Sequence, residues 1–574
     1  MPNPKRIVIV GGVAGGASAA ARARRLSEDA EIIIFERGAY VSFANCGLPY
    51  HVGGVIQDRQ RLLVQTPESL RARFALDVRT RSEVLSIDRA NRAVLVRELE
   101  TGKEYRQGYD ALVLSPGAEA LRPSIPGADD PRVFVLRNMQ DMDDLMKTAQ
   151  AGDKAVVVGA GYIGLELAEA LSRRGLKVTL VEKLTHVLGL ADAEMVAPLH
   201  EELARHGIAL RLGTSVQAVQ PDARGLNVVL ENGERLSCKL VVLAVGVRPE
   251  TGLAKKAGLD IGPRGGIRVD AQMRTSDPNI WAVGDAVEVA DFVTGDPAVI
   301  PLAGPANRQG RIAAEAIMGR ESRYASTQGT AICKVFDLAF AMTGLTEETL
   351  RKKGKAFRKI YVHPAQHATY YPGSHPVSLK LLFDTSEGRI LGAQAVGVDG
   401  VDKRIDVLAV AQRAGMSVFD LEELELCYAP PYGSAKDVVN MAGFAAANVL
   451  RGDVELWEPE ELPLLTDQAL IDVRTEDEFR GGHISGALNI PVDSLRGRLK
   501  QLPRGKELLV YCQVGLRGYV ACRILTQRGL RARNLSGGFK RWQMCQGAGF
   551  VPPASESEMR NEEGGPAAGK GSRL

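Results

Sequence analysis

The chain has 574 residues, of which 45% are hydrophobic and 25% are charged, and its mean hydropathy is -0.07. This length exceeds what one hydrophobic core supports and predicts about three to four domains of an ordinary water-soluble protein. The 72 basic and 69 acidic residues nearly cancel and aromatic residues make up 5%, so the composition excludes the basic, aromatic-rich surface of a nucleic-acid binding protein.

The first ten residues predict a strand rather than a signal peptide, because their short apolar run is followed at once by glycines. No apolar stretch reaches ~18 residues, so we expect no membrane span. The seven cysteines are odd in number and scattered, unlike a disulfide framework. These features predict a cytoplasmic protein.

A strand-like run at 6–12, a helical stretch at 17–26 and a second strand at 31–36 form a predicted βαβ unit. In its Gly-Gly-Val-Ala-Gly-Gly turn, Val13 replaces the middle glycine of G-x-G-x-x-G, and a simple tight turn shows the same pattern. The strand-turn-helix setting and an acid suited to a ribose diol favour a nucleotide site. A later acid before a helix start can hold the ribityl chain of a flavin. The predicted FAD-binding residues are Gly11, Gly12, Ala14, Gly15, Gly16, Glu36, Arg37 and Asp285.

Cys46 follows this unit in Tyr-Val-Ser-Phe-Ala-Asn-Cys-Gly-Leu-Pro-Tyr, where two-cysteine flavoprotein disulfide reductases carry Cys-x4-Cys. The position of the first cysteine of that motif is Val41 here. A thiol without an in-chain partner must react through a mixed disulfide, a persulfide or a sulfenic acid, which predicts a sulfur or peroxide substrate. A small buried hydrophobe is the alternative. We expect a helix N-terminus or the flavin to lower the pKa of Cys46.

A second strand-turn-helix unit begins at residue 154 and matches the dinucleotide fingerprint in full, with glycines for the turn, for the approach of the pyrophosphate and for helix packing. The acid that closes its second strand repels a 2′-phosphate, which favours NADH over NADPH. Lys183 beside it leaves NADPH possible. The predicted residues of this site are Gly159, Gly161, Gly164 and Glu182.

The C-terminal part contains Leu-Ile-Asp-Val-Arg at 470–474 and Gly-His-Ile-Ser-Gly-Ala at 482–487, followed by Tyr-Cys-Gln-Val-Gly-Leu-Arg-Gly at 511–518. These motifs resemble the rhodanese family and its active loop. The loop amides can point inward around the sulfur of Cys512 as an anion-binding nest, and Arg517 adds positive charge. This setting stabilises a thiolate or a bound persulfide, as sulfane-sulfur transfer requires. The alternative, an inert rhodanese-like fold, usually lacks the cysteine.

Residues 1–448 resemble the coenzyme A disulfide reductase branch of the pyridine nucleotide-disulfide oxidoreductases in the first glycine turn, in Ser-Phe-Ala-Asn-Cys at 42–46 and in Tyr-Ala-Pro-Pro-Tyr at 428–432. The whole chain resembles the fused reductase-rhodanese form, which includes NADH-dependent persulfide reductases. Single-cysteine NADH peroxidases and oxidases carry a histidine at the position of Ala14. The C-terminal His-Glu pair of glutathione-reductase relatives is also missing.

The resemblance implies a homodimer in which two tyrosines of the partner subunit approach the catalytic cysteine. Tyr428 matches one of them, and Tyr370 is preferred to Tyr371 as the other. A phenol can donate a proton to a departing thiolate, although an interface tyrosine with a satisfied hydroxyl is the alternative.

The resemblance also implies a site for coenzyme A, either bound or as substrate. Arg22, Arg71 and Arg73 are its candidate phosphate ligands by family position, although charged residues on helices usually face solvent. Ser42 and Asn45 are expected to contact the pantetheine end. No metal site is predicted.

The leading hypothesis is that NADH reduces FAD, that FAD reduces the Cys46 sulfur, and that the Cys46 thiolate attacks a persulfide, a polysulfide or coenzyme A disulfide. Cys512 would receive sulfane sulfur from polysulfide or another donor and present it for reduction with release of sulfide. An NADH oxidase or peroxidase that uses a Cys46 sulfenic acid remains an alternative. A sulfurtransferase regulated by its flavin half is another.

The predicted fold is α/β throughout, with two nested Rossmann-like nucleotide-binding domains, an α+β dimerisation domain and a C-terminal rhodanese-like α/β domain. The predicted boundaries are 1–150 with 275–328 for FAD, 151–274 for NAD(P)H, 329–450 for dimerisation, 451–551 for the rhodanese domain and 552–574 for a disordered tail.

Overall fold

The computed structural model of the chain describes residues 5–223, 225–464 and 467–547, so the predicted disordered tail lies outside the described residues. The chain divides into two compact units. The first comprises residues 1–192, 199–357 and 382–417, and the second comprises residues 193–198, 358–381 and 418–574. The parallel sheets described below confirm the predicted α/β class.

The first nucleotide-binding sheet lies in the first unit and is wholly parallel. Its apolar, mostly β-branched strands are buried on both faces, as parallel strands covered by helices are. Helices Ala14–Leu26 and Ala303–Ile317 pack closely through small residues, and a Cβ on Gly310 would lie only 2.3 Å from the Gly15 carbonyl oxygen. The strand order is Ile280–Ala282, Ala111–Leu114, Arg6–Val10, Glu31–Phe35, Asp77–Arg79.

The second nucleotide-binding sheet, also in the first unit, repeats this design. Helix Tyr162–Arg173 follows its central strand and buries an apolar face against it. All neighbouring strands are parallel, so the glycine turn lies at the carboxyl edge of the sheet, where ligands bind in such folds. The strand order is Ala209–Arg211, Lys177–Val181, Lys154–Val158, Leu240–Leu243, Val133–Phe134.

The remaining elements of the first unit are small sheets and short helices. The strands are Ser82–Asp88, Ala93–Glu98 and Glu104–Gly108; Val216–Pro221, Leu226–Leu230 and Arg235–Cys238; Ala118–Ala120 with Val247–Pro249; Ile267–Arg268, Val287–Ala290 and Pro297–Ala298; and Ala331–Val335, Leu338–Gly344 and Ile390–Gly397. The α-helices are Leu48–Val52, Pro67–Phe74, Met139–Thr148, Gly252–Lys256, Glu347–Lys352 and Val401–Arg413, and Ala193–Arg205 begins in the second unit.

The second unit contains strand Arg358–Val362, most of strand Val377–Phe383, helices Val418–Glu422 and Val438–Leu450, and a C-terminal parallel sheet. Trp457, Leu509 and Tyr511 belong to the core of this sheet. Its strand order is Glu455–Trp457, Ala532–Leu535, Glu507–Tyr511, Gln468–Asp472, Leu488–Asn489, and its α-helices are Glu476–Arg480, Val492–Arg498, Leu516–Thr526 and Gly538–Gly547.

A search of the described residues finds no helix with the length and apolar character of a membrane span.

Candidate active sites

The first glycine turn is shaped so that side chains are excluded from it. Gly11 has φ +93, and a Cβ there would lie 2.0 Å from the Ser115 carbonyl oxygen. A Cβ on Gly16 would lie 1.9 Å from the Gly11 carbonyl oxygen, so the helix starts in direct contact with the turn. Helix Ala14–Leu26 therefore begins at the carboxyl edge of the sheet. The turn has the form that brings backbone amides to a pyrophosphate.

Glu36 stands beside this turn. Its carboxylate accepts hydrogen bonds from Gly12 N at 2.9 Å and from Gly38 N at 2.7 Å. Arg37 points elsewhere and forms an ion pair with Glu250 at 3.1 Å. The carboxylate of residue 36 therefore orders the turn, while the neighbouring guanidinium already has a partner.

Asp285 lies in a short 3₁₀ turn, Gly284–Ala286, next to the first sheet. Its carboxylate pairs with Arg137 at 3.0 Å. The Gly284 amide donates to the Gln309 side chain at 2.8 Å, which holds this turn against helix Ala303–Ile317. The structure therefore brings Asp285 to the same part of the first unit as the glycine turn.

The second glycine turn reproduces the first. Gly159 has φ +98, and a Cβ on Gly164 would lie 1.9 Å from the Gly159 carbonyl oxygen. Around Gly161, by contrast, there is open space, which suits the approach of a ligand. Glu182 accepts from Ala160 N at 2.7 Å and from Leu184 N at 2.9 Å, in the same arrangement as Glu36.

Cys46 lies in the 3₁₀ turn Asn45–Gly47, which leads directly into helix Leu48–Val52. The thiol is exposed, and its own backbone N–H donates to Asn45 Oδ1 at 3.1 Å. Val41 is buried, and a Cβ on Gly12 would lie 2.8 Å from its Cγ1. The place of a first cysteine is thus filled by an apolar side chain under the glycine turn.

The expected lowering of the Cys46 pKa is wrong for the protein itself. Partial desolvation raises the pKa, and the carboxylates of Glu166 and Asp285 raise it further because they disfavour a nearby thiolate. Arg137 and the backbone act in the opposite direction but do not prevail. The polypeptide alone therefore holds Cys46 as a thiol over a wider pH range than a free cysteine.

Two residues of this site were missed by the sequence reasoning. Tyr50 donates a hydrogen bond to Glu166 Oε1 at 3.2 Å. Burial raises the pKa of Glu166 to about 7, although the bond from Tyr50 lowers it. The available signal was spacing, because Tyr50 lies one helical turn after Cys46 and Glu166 lies in the first turns after the second glycine motif.

The predicted coenzyme A residues differ in their exposure and in their ion pairs. Arg22 is paired with Glu315 at 2.5 Å and is largely enclosed. Arg71 and Arg73 are exposed on helix Pro67–Phe74, and within the described ranges neither has a carboxylate oxygen at ion-pair distance. Ser42 has φ +46, and its amide donates to the Gly12 carbonyl at 2.9 Å.

Tyr370 and Tyr428 are brought together in the second unit, with their hydroxyl oxygens 2.9 Å apart. Both are exposed, at 74% and 50%, which is unusual for large aromatic side chains. The hydrogen bond with Tyr428 raises the pKa of Tyr370. Tyr371 instead packs edge-on against the ring of His367. The hydroxyl pair therefore involves the tyrosine that the sequence analysis preferred.

Cys512 lies between strand Glu507–Tyr511 and helix Leu516–Thr526 and is fully buried. Gly515 N donates to its sulfur at 3.1 Å, so at least one loop amide points inward as the nest requires. The loop is held from behind, because Phe539 N donates to the Cys512 carbonyl at 2.7 Å. A buried sulfur facing an amide is suited to hold a thiolate or a persulfide.

Arg517 lies in the first turn of the helix that follows Cys512, and it binds a carboxylate. Glu478 and, less strongly, the nearby Cys512 sulfur raise the pKa of its guanidinium, two nitrogens of which donate to Glu478 at 2.7 and 2.6 Å. The guanidinium lowers the pKa of Glu478 to about 2. Glu478 is a further residue that the sequence reasoning did not assign to the site, although it stands within the rhodanese motif.

Comparison with known proteins identifies the domains that contain these sites. The pyridine nucleotide-disulphide oxidoreductase family matches residues 5–310, its dimerisation domain matches 330–438, and the rhodanese-like domain matches 454–545. Coenzyme A disulfide reductase of Staphylococcus aureus strain JH9 is 38% identical over 444 residues, which cover 77% of this chain and 99% of that protein.

Two solved structures are similar over nearly the whole chain. Reduced Bacillus anthracis CoADR-RHD is 47% identical with a TM-score of 0.93, covering 94% of this chain and 98% of that one. An NAD-dependent persulfide reductase from A. fulgidus is 36% identical with a TM-score of 0.88, covering 94% and 100%. These likenesses confirm the predicted succession of nucleotide-binding, dimerisation and rhodanese domains.

Proposed function

Because the chain belongs to the pyridine nucleotide-disulphide oxidoreductase family, we propose that it uses NADH to reduce persulfides, polysulfides or coenzyme A disulfide through the single thiol of Cys46. The observation that carries the proposal is the pairing of a free, exposed Cys46 with a buried Val41 at the place of the first cysteine of the two-cysteine motif. The substrate must therefore supply the other sulfur. The relatives named above, a coenzyme A disulfide reductase and a persulfide reductase, act on sulfur compounds of this kind.

The chain is an oxidoreductase that binds flavin and NAD(H), and its two glycine turns fit these groups. In the first unit, the turn at Gly11 and Gly16 excludes side chains where a pyrophosphate approaches. Bound FAD supplies two-electron transfer from NADH to sulfur. We assign it to Gly11, Gly12, Ala14, Gly15, Gly16, Glu36, Arg37 and Asp285, and NADH to Gly159, Gly161, Gly164 and Glu182.

The work of Cys46 is nucleophilic. Its thiolate attacks one sulfur of the substrate, a new S–S bond forms to Cys46, and the other sulfur leaves with the bonding electron pair. With coenzyme A disulfide, the leaving group is the coenzyme A thiolate and a mixed disulfide remains. With a persulfide, two electrons and two protons convert RSSH into the thiol RSH and hydrogen sulfide overall.

The departing thiolate needs a proton donor. The hydroxyls of Tyr370 and Tyr428 form one hydrogen-bonded pair on an exposed surface of the second unit. We assign this pair to the active site of a partner subunit, in a homodimer built through the dimerisation domain. A donated phenolic proton would stabilise the leaving sulfur.

Coenzyme A is assigned to Arg22, Arg71 and Arg73, with Ser42 and Asn45 near the sulfur end. Arg71 and Arg73 offer exposed guanidinium groups for phosphates, the ligand geometry that arginine suits. Arg22 would have to share or exchange its bond to Glu315. The rhodanese domain is assigned the delivery of sulfane sulfur through Cys512 and Arg517, and sulfide is the product released after reduction.

The test is anaerobic NADH oxidation with coenzyme A persulfide, coenzyme A disulfide, polysulfide and hydrogen peroxide, compared side by side. We expect the sulfur compounds to be reduced faster than peroxide. Equal rates with polysulfide and peroxide, and none with coenzyme A persulfide, would overturn the proposal in favour of a peroxidase. Sulfide release is measured in the same reactions.

A further inference from the structure

The mouth of the Cys512 loop carries apolar side chains. Val514 and Leu516, on either side of Gly515, are 38% and 58% exposed. Val520, one turn further along helix Leu516–Thr526, is 39% exposed. Exposed aliphatic side chains in and just after the loop that buries this sulfur favour a donor that has carbon, rather than a charged group, next to the sulfur it delivers.

Arg517, a cation beside the Cys512 loop, is neutralised. The Cys512 sulfur influences the pKa of its guanidinium, but two of the guanidinium nitrogens are held by Glu478 in a bidentate ion pair. In such a pair, two N–H groups of the guanidinium already donate to a carboxylate, so they do not bind an incoming oxyanion. Glu478 thus cancels the positive charge of Arg517 and occupies two of its nitrogens.

Two other cations near the loop, Arg474 and Lys540, are fully or partly buried. Arg474 is buried against Asp472 at 2.7 Å, where it also holds Gln513 of the loop. Lys540 lies near the start of the helix behind the loop, and burial lowers the pKa of its ammonium group.

We propose that the Cys512 site takes sulfane sulfur from organic persulfides with an uncharged arm next to the sulfur, and that Glu478 discriminates against small dianions such as thiosulfate. This inference rests on the proposed sulfur-delivery function of Cys512 and specifies its substrate class. Thiosulfate would place its sulfonate at the rim, beside the Glu478 carboxylate. An alkyl persulfide would place its carbon chain there, against Val514 and Leu516.

The transfer step is balanced without a further reactant. The Cys512 thiolate attacks the outer sulfur of R–S–S–H, an S–S bond forms to Cys512, and the S–S bond of the donor breaks. The thiolate RS⁻ leaves with the bonding pair and takes a proton from water. Cys512 is left as a persulfide, and no net oxidation or reduction occurs.

The experiment measures sulfur loading on Cys512 in the full-length flavoprotein carrying Cys46→Ser, by the gain of one sulfur atom in the mass of the Cys512 peptide. The donors are N-acetylcysteamine persulfide and thiosulfate. We expect the alkyl persulfide to load at least about tenfold faster. Glu478→Gln removes one rim charge and is expected to raise the ratio of thiosulfate to persulfide rate constants about fivefold to tenfold. Leu516→Ser is expected to lower the persulfide rate more than the thiosulfate rate.

Glu476→Gln is the matched control, because it removes an exposed carboxylate from the same helix and is expected to leave the ratio unchanged. Equal loading by the two donors in the parent protein, or an unchanged ratio in Glu478→Gln, would overturn the proposed donor selectivity but not the sulfur-delivery function. If Glu476→Gln raised the ratio equally, the effect would arise from the total negative charge of the helix, and the specific role of Glu478 would be overturned. Failure of every donor to load Cys512 would instead overturn the proposed sulfur-delivery function.

Discussion

The backbone N–H of Tyr361 donates a 2.8 Å hydrogen bond to the side-chain oxygen of Ser536, and both residues are buried. This bond joins strand Arg358–Val362 to the segment that closes the Cys512 loop from behind. Gly537 continues the contact, since a Cβ there would lie 2.8 Å from the Tyr361 Cβ. The Cys512 loop is therefore supported by a strand outside its own sheet.

Ser536→Ala is expected to loosen this loop. It leaves the buried Tyr361 amide without its acceptor, at a cost of about 1–3 kcal/mol. Amide hydrogen exchange of peptides covering the Cys512 loop should become about tenfold faster or more. Ser485→Ala, at an exposed position of the same domain, is the control and should change nothing. Unchanged exchange in Ser536→Ala would show that the bond does not support the loop.

Cys46→Ser is expected to abolish NADH oxidation with every sulfur substrate, because it removes the thiol that forms the mixed disulfide. Cys512→Ser should retain NADH oxidation with coenzyme A disulfide, which does not require sulfane delivery. Anaerobic NADH absorbance measures both. Retained turnover in Cys46→Ser would contradict the single-cysteine mechanism. Loss of NADH oxidation with coenzyme A disulfide in Cys512→Ser would show that the two cysteines act as one catalytic unit.

Glu166→Gln should make Cys46 easier to ionise. The ionised Glu166 disfavours the nearby thiolate and raises the Cys46 pKa, so its removal lowers that pKa. Because Glu166 itself has a pKa raised to about 7, its charge acts mainly above that pH. The pH profile of Cys46 alkylation by iodoacetamide, followed by peptide mass, should shift to lower pH.

Glu169→Gln is the matched control for this shift, since residue 169 lies on the same helix and keeps a side-chain oxygen for its bond from Phe336 N. Its charge is not among the main causes of the raised pKa of Cys46. A shift to higher pH in Glu166→Gln would contradict the electrostatic account.

Tyr428→Phe is expected to lower kcat for coenzyme A disulfide by about tenfold or more, because it removes a proton donor to the departing thiolate. Since Tyr370 and Tyr428 bond to each other, the double variant should lose less than the product of the two single effects. Tyr371→Phe is the control, and its hydroxyl should be dispensable. A normal kcat in Tyr428→Phe would leave these residues a purely structural role.

Much of the candidate site could be predicted from local sequence. Glycine turns at Gly11 and Gly159 are required by steric contacts within the turn and its strand, so a short motif is enough to identify them. A short motif is also enough to identify the Cys512 loop, which directly follows a buried strand. The absent partner of Cys46 also follows from one position, Val41.

The tertiary structure decided what the charges and hydroxyls do. Tyr370 and Tyr428 are 58 residues apart in sequence, and Arg517 and Glu478 are 39 apart, so no local periodicity pairs them. The pKa of Cys46 is raised rather than lowered for the same reason, because burial and the approach of Glu166 and Asp285 both depend on the folded chain. The sequence by itself determined the folds and the reactive sulfurs, and only the folded chain determined the electrostatic setting in which each sulfur reacts.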